Sequence, residues 1–227
     1  MTPPTSLRRS ECWVFDLDNT LYPAANGLMA EVSARMTEFV ADALGVARDE
    51  ALIEQKDLFR KHGTTLRGMM EKHAVDPWAF LDFVHQVDYG QVDPSPRLAK
   101  ALTALPGRKV IFTNASVAHA EQVLERLGVA AHFEGVFDVA AASWRPKPHP
   151  TAYQTLIEQH RINPGRAVMV EDIARNLEPA ATMGMTTVWI DHQDTQAPAW
   201  TKPEEASEYV HHTINDLTTW LESLIGS

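Results

Sequence analysis

The sequence predicts an α/β fold: a parallel sheet core with flanking helices, interrupted after its first strand by an all-helical insert. Three observations predict it. A short apolar run at residues 12–15 stops where acidic and polar residues begin, as a buried strand does at its C-terminal end. Residues 24–94 carry helical spacing and no convincing strand. From Pro94 onward strand-like runs alternate with amphipathic stretches, which implies parallel strands joined by right-handed crossovers. The expected division is residues 1–23 and 95–227 as the α/β core, with residues 24–94 as a helical cap.

Each element has its own signal. Cys12, Trp13, Val14 and Phe15 read as the first strand. Met29, Val32, Met36, Phe39, Val40 and Leu44 recur at helical spacing, and Gly45 closes that helix. A second helix is expected over residues 49–61, broken by Gly63. Thr64 or Thr65 caps a third, carrying Leu66, Met69 and Met70. Asp76-Pro77 opens a fourth, with proline in the first helical turn. The core then reads as a helix at 97–104, a strand at 109–112, a helix at 118–127, a short strand within 133–139 and a helix at 150–160. A strand at 167–170, a helix at 176–183, a strand at 187–190 and a last helix ending near Leu224 complete it. The polar, proline-containing stretch 191–205 reads as a surface loop.

Composition narrows the function classes. The chain has 227 residues, 44% of them hydrophobic, enough for a substantial core. A formal net charge of −10 argues against nucleic-acid and anionic-membrane partners, yet allows a small basic pocket for a phosphorylated ligand. The one cysteine, Cys12, cannot form an internal disulfide, which fits a reducing cytoplasmic setting. It reads as a small core residue. No apolar stretch is long enough to cross a bilayer, and no secretory leader is expected from the N-terminal residues.

The chemistry concentrates at four expected strand ends. Asp16 and Asp18 follow the first strand, and ligands bind outside the carboxyl ends of strands in open parallel sheets. Two close carboxylates repel, which a divalent cation relieves, and a carboxylate can also attack phosphorus directly. Thr113 and Asn114 follow the second strand, where a hydroxyl and nearby N–H groups suit phosphate oxygens. Lys147 sits among Pro146, Pro148 and Pro150, in a stiff loop before a helix. Glu171 and Asp172, with Asn176 after them, follow the strand at 167–170 and could complete a hard-metal site with Asp16. His149 reads as a loop residue, and His211-His212 as a solvated pair before the last helix.

In this order the motifs resemble those of haloacid dehalogenase superfamily phosphatases with a Rossmann-like core and an inserted helical cap. The resemblance implies Asp16 as nucleophile and Asp18 as general acid/base. It implies Thr113 and Lys147 as phosphate binders, with Asn114 beside them. It implies Asp172 as the main Mg2+ ligand, alongside Asp16 and the backbone carbonyl of Asp18. The family often has Asp where this chain has Glu171 or Asn176, so for these two the resemblance leaves three roles open: direct metal contact, contact through water, or action through Lys147.

The finer resemblance, carried by Tyr22-Pro23 with Gly27-Leu28, Gly63-Thr64-Thr65-Leu66 and 105–109, is to the pyrimidine 5′-nucleotidase branch. It implies hydrolysis of a nucleoside 5′-monophosphate, with Thr64 and Thr65, and also Asn26 and Arg67, as cap residues reading the substrate. A sugar phosphate or phosphoglycolate phosphatase, a phosphomutase and a non-catalytic binding protein are the alternatives on the same fold.

Overall fold

The computed structural model describes residues 5–193, 202 and 207–226. Among them, six strands form one parallel sheet: β1 (Cys12–Phe15), β2 (Arg108–Phe112), β3 (Gly135–Phe137), β4 (Ala167–Glu171), β5 (Thr186–Ile190) and β6 (His212–Ile214). Their order is β3-β2-β1-β4-β5-β6. Every pair is parallel. The chain moves outward on one side of β1 through β2 and β3, then on the other through β4, β5 and β6. The crevice at the carboxyl end of β1 is therefore the switch point where such sheets hold ligands.

β1 is buried along its whole length, which explains its unbroken apolar run. One face of the sheet packs Trp13, Phe15, Ile111, Val168 and Val188 against helical leucines. The other packs Val14, Val110, Phe112 and Met169 against Tyr153, Leu156 and Leu177.

The stretch between β1 and β2 opens with four helices: α1 (Leu28–Leu44), α2 (Arg48–His62), α3 (Thr65–His73) and α4 (Pro77–Val84). They share their own apolar cluster, including Val40, Leu58, Met69, Phe80 and Val84. Its punctuation is local. Gly45 takes a left-handed conformation after α1, the Thr64 side chain accepts from the Arg67 N–H, and Asp76 caps α4 with Pro77 following. The chain then runs through α5 (Pro96–Ala104) into β2, and α6 (Val117–Leu127), α7 (Pro150–His160), α8 (Glu178–Thr182) and α9 (Leu217–Ile225) cover the sheet.

Two expectations need correction. His211 is exposed and the pair does precede the last helix, but His212 starts β6, a strand that was not expected, and His211 Nδ1 lies 2.7 Å from the buried Thr187 hydroxyl. The strand is three residues long with polar residues at two of them, so it shows no period. The helix expected at 176–183 is shorter, because a 3-10 turn over Ala174–Leu177 precedes α8. The expected loop at 191–205 lies mostly outside the described residues.

Candidate active site

The last residue of β1 hands Asp16 to the crevice. Its N–H still donates to the Val170 carbonyl at 2.9 Å, so the ladder with β4 fixes its backbone. The carboxylate is buried, and each oxygen has a partner. Oδ2 accepts from Thr20 Oγ1 at 2.9 Å and Oδ1 accepts from Lys147 Nζ at 2.6 Å. Lys147, 1% exposed, also donates to Glu171 Oε2 at 2.6 Å and to the Phe112 carbonyl at 2.8 Å. Its loop is held in place by Asn114, whose amide donates to the Lys147 carbonyl at 3.3 Å and accepts from its N–H at 2.8 Å. Asn114 thus engages the lysine loop rather than presenting a free amide.

Asp16, Glu171 and Asp172 can each offer one oxygen, all within 4.8 Å of one another. Burial, then Glu171, pushes Asp16 up to about 7, with Lys147 pulling the other way. Burial, then Glu171 and Asp16, pushes Asp172 well above the usual carboxylate range. For Lys147, burial disfavours the charge, but Asp16 and Glu171 outweigh it and raise its pKa. Three ionised carboxylates against one ammonium leave two negative charges, which one divalent cation cancels. The residues fit such an ion: they are hard oxygen donors, and the strain that raises the two aspartates is the strain a cation relieves. Asn19 Oδ1, buried with no protein partner among the described residues, lines the same cavity.

Asp18 sits apart from this cluster in its contacts. Its Oδ1 accepts from Tyr22 Oη at 2.6 Å and lies 2.8 Å from His119 Nε2. Burial pushes Asp18 up, but His119 and the Tyr22 hydroxyl outweigh it and hold the carboxyl below its ordinary range. Thr113, 1% exposed, accepts the Ala115 N–H on its oxygen at 3.0 Å, which leaves the hydroxyl proton available.

A cavity of about 570 Å³ opens over these groups. Asp16, Asp18, Thr113, Asn114, Lys147, Asp172 and Asn176 line its floor, and the wall made by α1, α2 and α4 mixes Met29, Met36, Phe59, Phe80 and Leu81 with Ser33, Gln55, Lys56, Asp57 and Arg60. Thr64 and Thr65 also border it: the Thr64 oxygen accepts the Arg67 N–H in capping α3, which leaves its proton available, whereas Thr65 donates its proton to the Gln55 carbonyl at 3.3 Å. Asn26 and Arg67 do not border it. Asn26 accepts from the Leu28 N–H, and Arg67 engages Glu71 and the Trp144 carbonyl. His119 is a contact that the sequence motifs did not single out; Thr20 and Tyr22 stand in the run after the first strand, where the motifs assign them no role. His119 had one signal: a histidine among Ala120, Val123, Leu124 and Leu127 on the buried face of α6.

A family model described as haloacid dehalogenase-like hydrolase matches residues 11–184, most of the chain and every floor residue. The chain belongs to the haloacid dehalogenase-like hydrolase family. This hydrolase is 25% identical over 189 residues to Phosphate metabolism protein 8 of Saccharomyces cerevisiae, a match covering 75% of this chain and 58% of that protein. It therefore spans somewhat over half the length of that curated relative. Among solved structures it resembles a HAD phosphatase from Thermococcus onnurineus, with TM-score 0.63 and 18% identity over 95% of this chain and 98% of that one. It also resembles an L-2-haloacid dehalogenase from Xanthobacter autotrophicus carrying covalently bound chloropropionic acid, with TM-score 0.60 and 16% identity over 94% and 97%. At these identities the structural likeness is one of fold. The hydrolase chemistry rests on the family match and on the site.

Proposed function

We propose that this hydrolase is a Mg2+-dependent phosphomonoesterase that works through an aspartyl-phosphate. The observation that carries the reading is the second carboxylate. A hydrolase that only forms an ester on Asp16 has no need of Asp18 at the same cavity. Phosphate monoesters do need it, because the leaving alkoxide must be protonated.

In this reading Asp16 attacks phosphorus, and the alcohol leaves with a proton from Asp18. Asp18 then takes a proton from the water that releases phosphate. Tyr22 and His119 favour the ionised form, which the second step requires; a phosphoryl dianion beside Asp18 raises its proton affinity for the first. Thr113 donates its free hydroxyl proton to a phosphoryl oxygen. Lys147 orients Asp16 and Glu171 rather than reaching phosphate, since all three of its protons are engaged. Asp16, Asp172 and the Asp18 carbonyl would hold Mg2+, with Glu171 and Asn176 behind them. Bound there, Mg2+ supplies charge stabilisation to the phosphoryl oxygens.

The helices α1–α4 serve as the cap over this core, and their wall sets apolar Met36, Phe59 and Phe80 beside polar Ser33, Lys56, Asp57 and Arg60, a mixed surface that suits a flat base with a polar edge. A pyrimidine nucleoside 5′-monophosphate, its base against Met36, Phe59 and Phe80, is thus the first substrate to test, and the single buried cysteine favours a cytoplasmic setting.

The deciding experiment is a phosphate-release screen over nucleoside monophosphates, sugar phosphates, phosphoglycolate and nitrophenyl phosphate, with Mg2+ and with excess chelator. Release from nucleotides above sugar phosphates, abolished by chelator, is expected. Turnover in chelator sinks the metal dependence, and a preference for sugar phosphates sinks the nucleotidase reading. Dechlorination of a 2-haloacid without phosphate release would replace the phosphatase reading altogether.

A further inference from the structure

His119 lies outside every motif that marks the site, yet it is buried to 1% beside Asp18. Its two ring nitrogens have separate partners. Nε2 is 2.8 Å from Asp18 Oδ1, and Nδ1 is 3.1 Å from the Tyr89 hydroxyl. Tyr89 donates in turn to the His85 carbonyl at 3.1 Å. The His85 ring stacks on His119 with centroids 4.4 Å apart, and its Nδ1 is 3.0 Å from Ser116 Oγ. The imidazole is therefore clamped in its plane by two hydrogen bonds and across its face by another ring. On the Asp18 side, Tyr22 binds the same oxygen that His119 does, so Oδ2 is left without a protein partner among the described residues.

We infer that His119 is a positioning residue for Asp18: with Tyr22 it fixes Oδ1 and so aims Oδ2 at the reacting phosphate. This rests on the phosphatase reading and on Asp18 being its acid/base. The arrangement also reaches both connections to the helical insert. Tyr22 lies where the chain leaves the core, and His85 and Tyr89 lie where it returns. A shift of α1–α4 relative to the sheet would thus be felt at the carboxylate through groups in direct contact.

The test compares His119→Ala and His119→Gln with the parent on a nucleotide, whose leaving alkoxide needs a proton, and on nitrophenyl phosphate, whose leaving group does not. Loss of aim of about 1 Å costs on the order of 10²-fold in rate. The expected result is a kcat loss near that size for His119→Ala on the nucleotide, a smaller loss on nitrophenyl phosphate, and KM for both substrates and for Mg2+ within about twofold. His119→Gln, which keeps an N–H for Oδ1, should recover much of it. In an Asp18→Asn background His119→Ala should add less than about twofold, because there is no carboxylate left to aim. Equal losses on both substrates, no recovery by Gln, or a full additional loss in the Asp18→Asn background overturns the assignment alone. Absence of phosphate release by the parent protein overturns it together with the phosphatase reading. Circular dichroism on each variant separates these outcomes from misfolding, and His119→Gln carries the test if His119→Ala fails to fold.

Discussion

The Lys147 ammonium has three N–H groups, and Asp16, Glu171 and the Phe112 carbonyl accept all three. This is why the buried lysine is tolerated. Asp16→Asn should abolish turnover, since an amide has no anionic oxygen to attack phosphorus. The same variant has a second consequence in metal-free protein. Asp16 is raised to about 7, so the folded state holds a proton there that the unfolded chain has already lost. That contribution to stability is complete below the unfolded carboxyl range and is lost as pH rises through about 7. In chelator, melting temperature should therefore fall between pH 5 and pH 8 in the parent and less steeply in Asp16→Asn. An identical slope in both would show that Asp16 does not carry the shift. Asp18→Asn should differ in kind, costing about 10² to 10⁴ in rate on a nucleotide but less on nitrophenyl phosphate. Equal losses on the two would remove Asp18 from the acid/base role. The two aspartates were legible because they follow a strand end within three residues. His119 was not, because its partner is 101 residues away and no local spacing encodes that contact.

At the scale of elements, the turn between α2 and α3 shows how the sequence signals local structure better than it signals role. Gly63 was readable as a helix breaker. The reason it must be glycine lies across the fold: its φ is +85°, and a Cβ there would sit 3.0 Å from the Lys147 carbonyl oxygen. Gly63→Ala should destabilise by about 1 kcal/mol or more, a fall of about 2–4 °C in melting temperature, and should slow turnover by displacing the lysine loop. An unchanged melt would mean the loop yields without strain. Thr64 and Thr65 were both readable as the cap and as substrate contacts, and Thr64 is the one that caps α3. Thr65 was read as a substrate contact, yet its hydroxyl donates to the Gln55 carbonyl, so Thr65→Val should lower stability and affect nucleotide and nitrophenyl phosphate alike. A selective loss on the nucleotide would restore the substrate-reading role.

The sheet order places β1 between β2 and β4, and so collects residues 16, 113, 147 and 171 at one crevice from distant parts of the chain. The strand–helix alternation made this architecture readable, since right-handed crossovers leave few alternatives. The short edge strand β6 and the contacts between α1–α4 and the core were not readable, because they depend on shape rather than period. One such contact is Trp78 of α4 against Trp144, ring centroids 4.9 Å apart. Beside it the Arg67 guanidinium donates to the Trp144 carbonyl. These contacts hold the helical insert over the cavity that contains Asp16, so substrate entry requires them to part if the insert acts as a lid. A double variant, Trp78→Cys with Trp144→Cys, tests this directly. The native Cys12 will not interfere: it is buried, and burial pushes its thiol up to about 11. Bridging the two introduced thiols with a short bismaleimide should block turnover of nucleotides, while the unbridged double variant remains active. A bridged protein that turns over nucleotides at the unbridged rate would show that substrate reaches Asp16 without the insert moving at this contact.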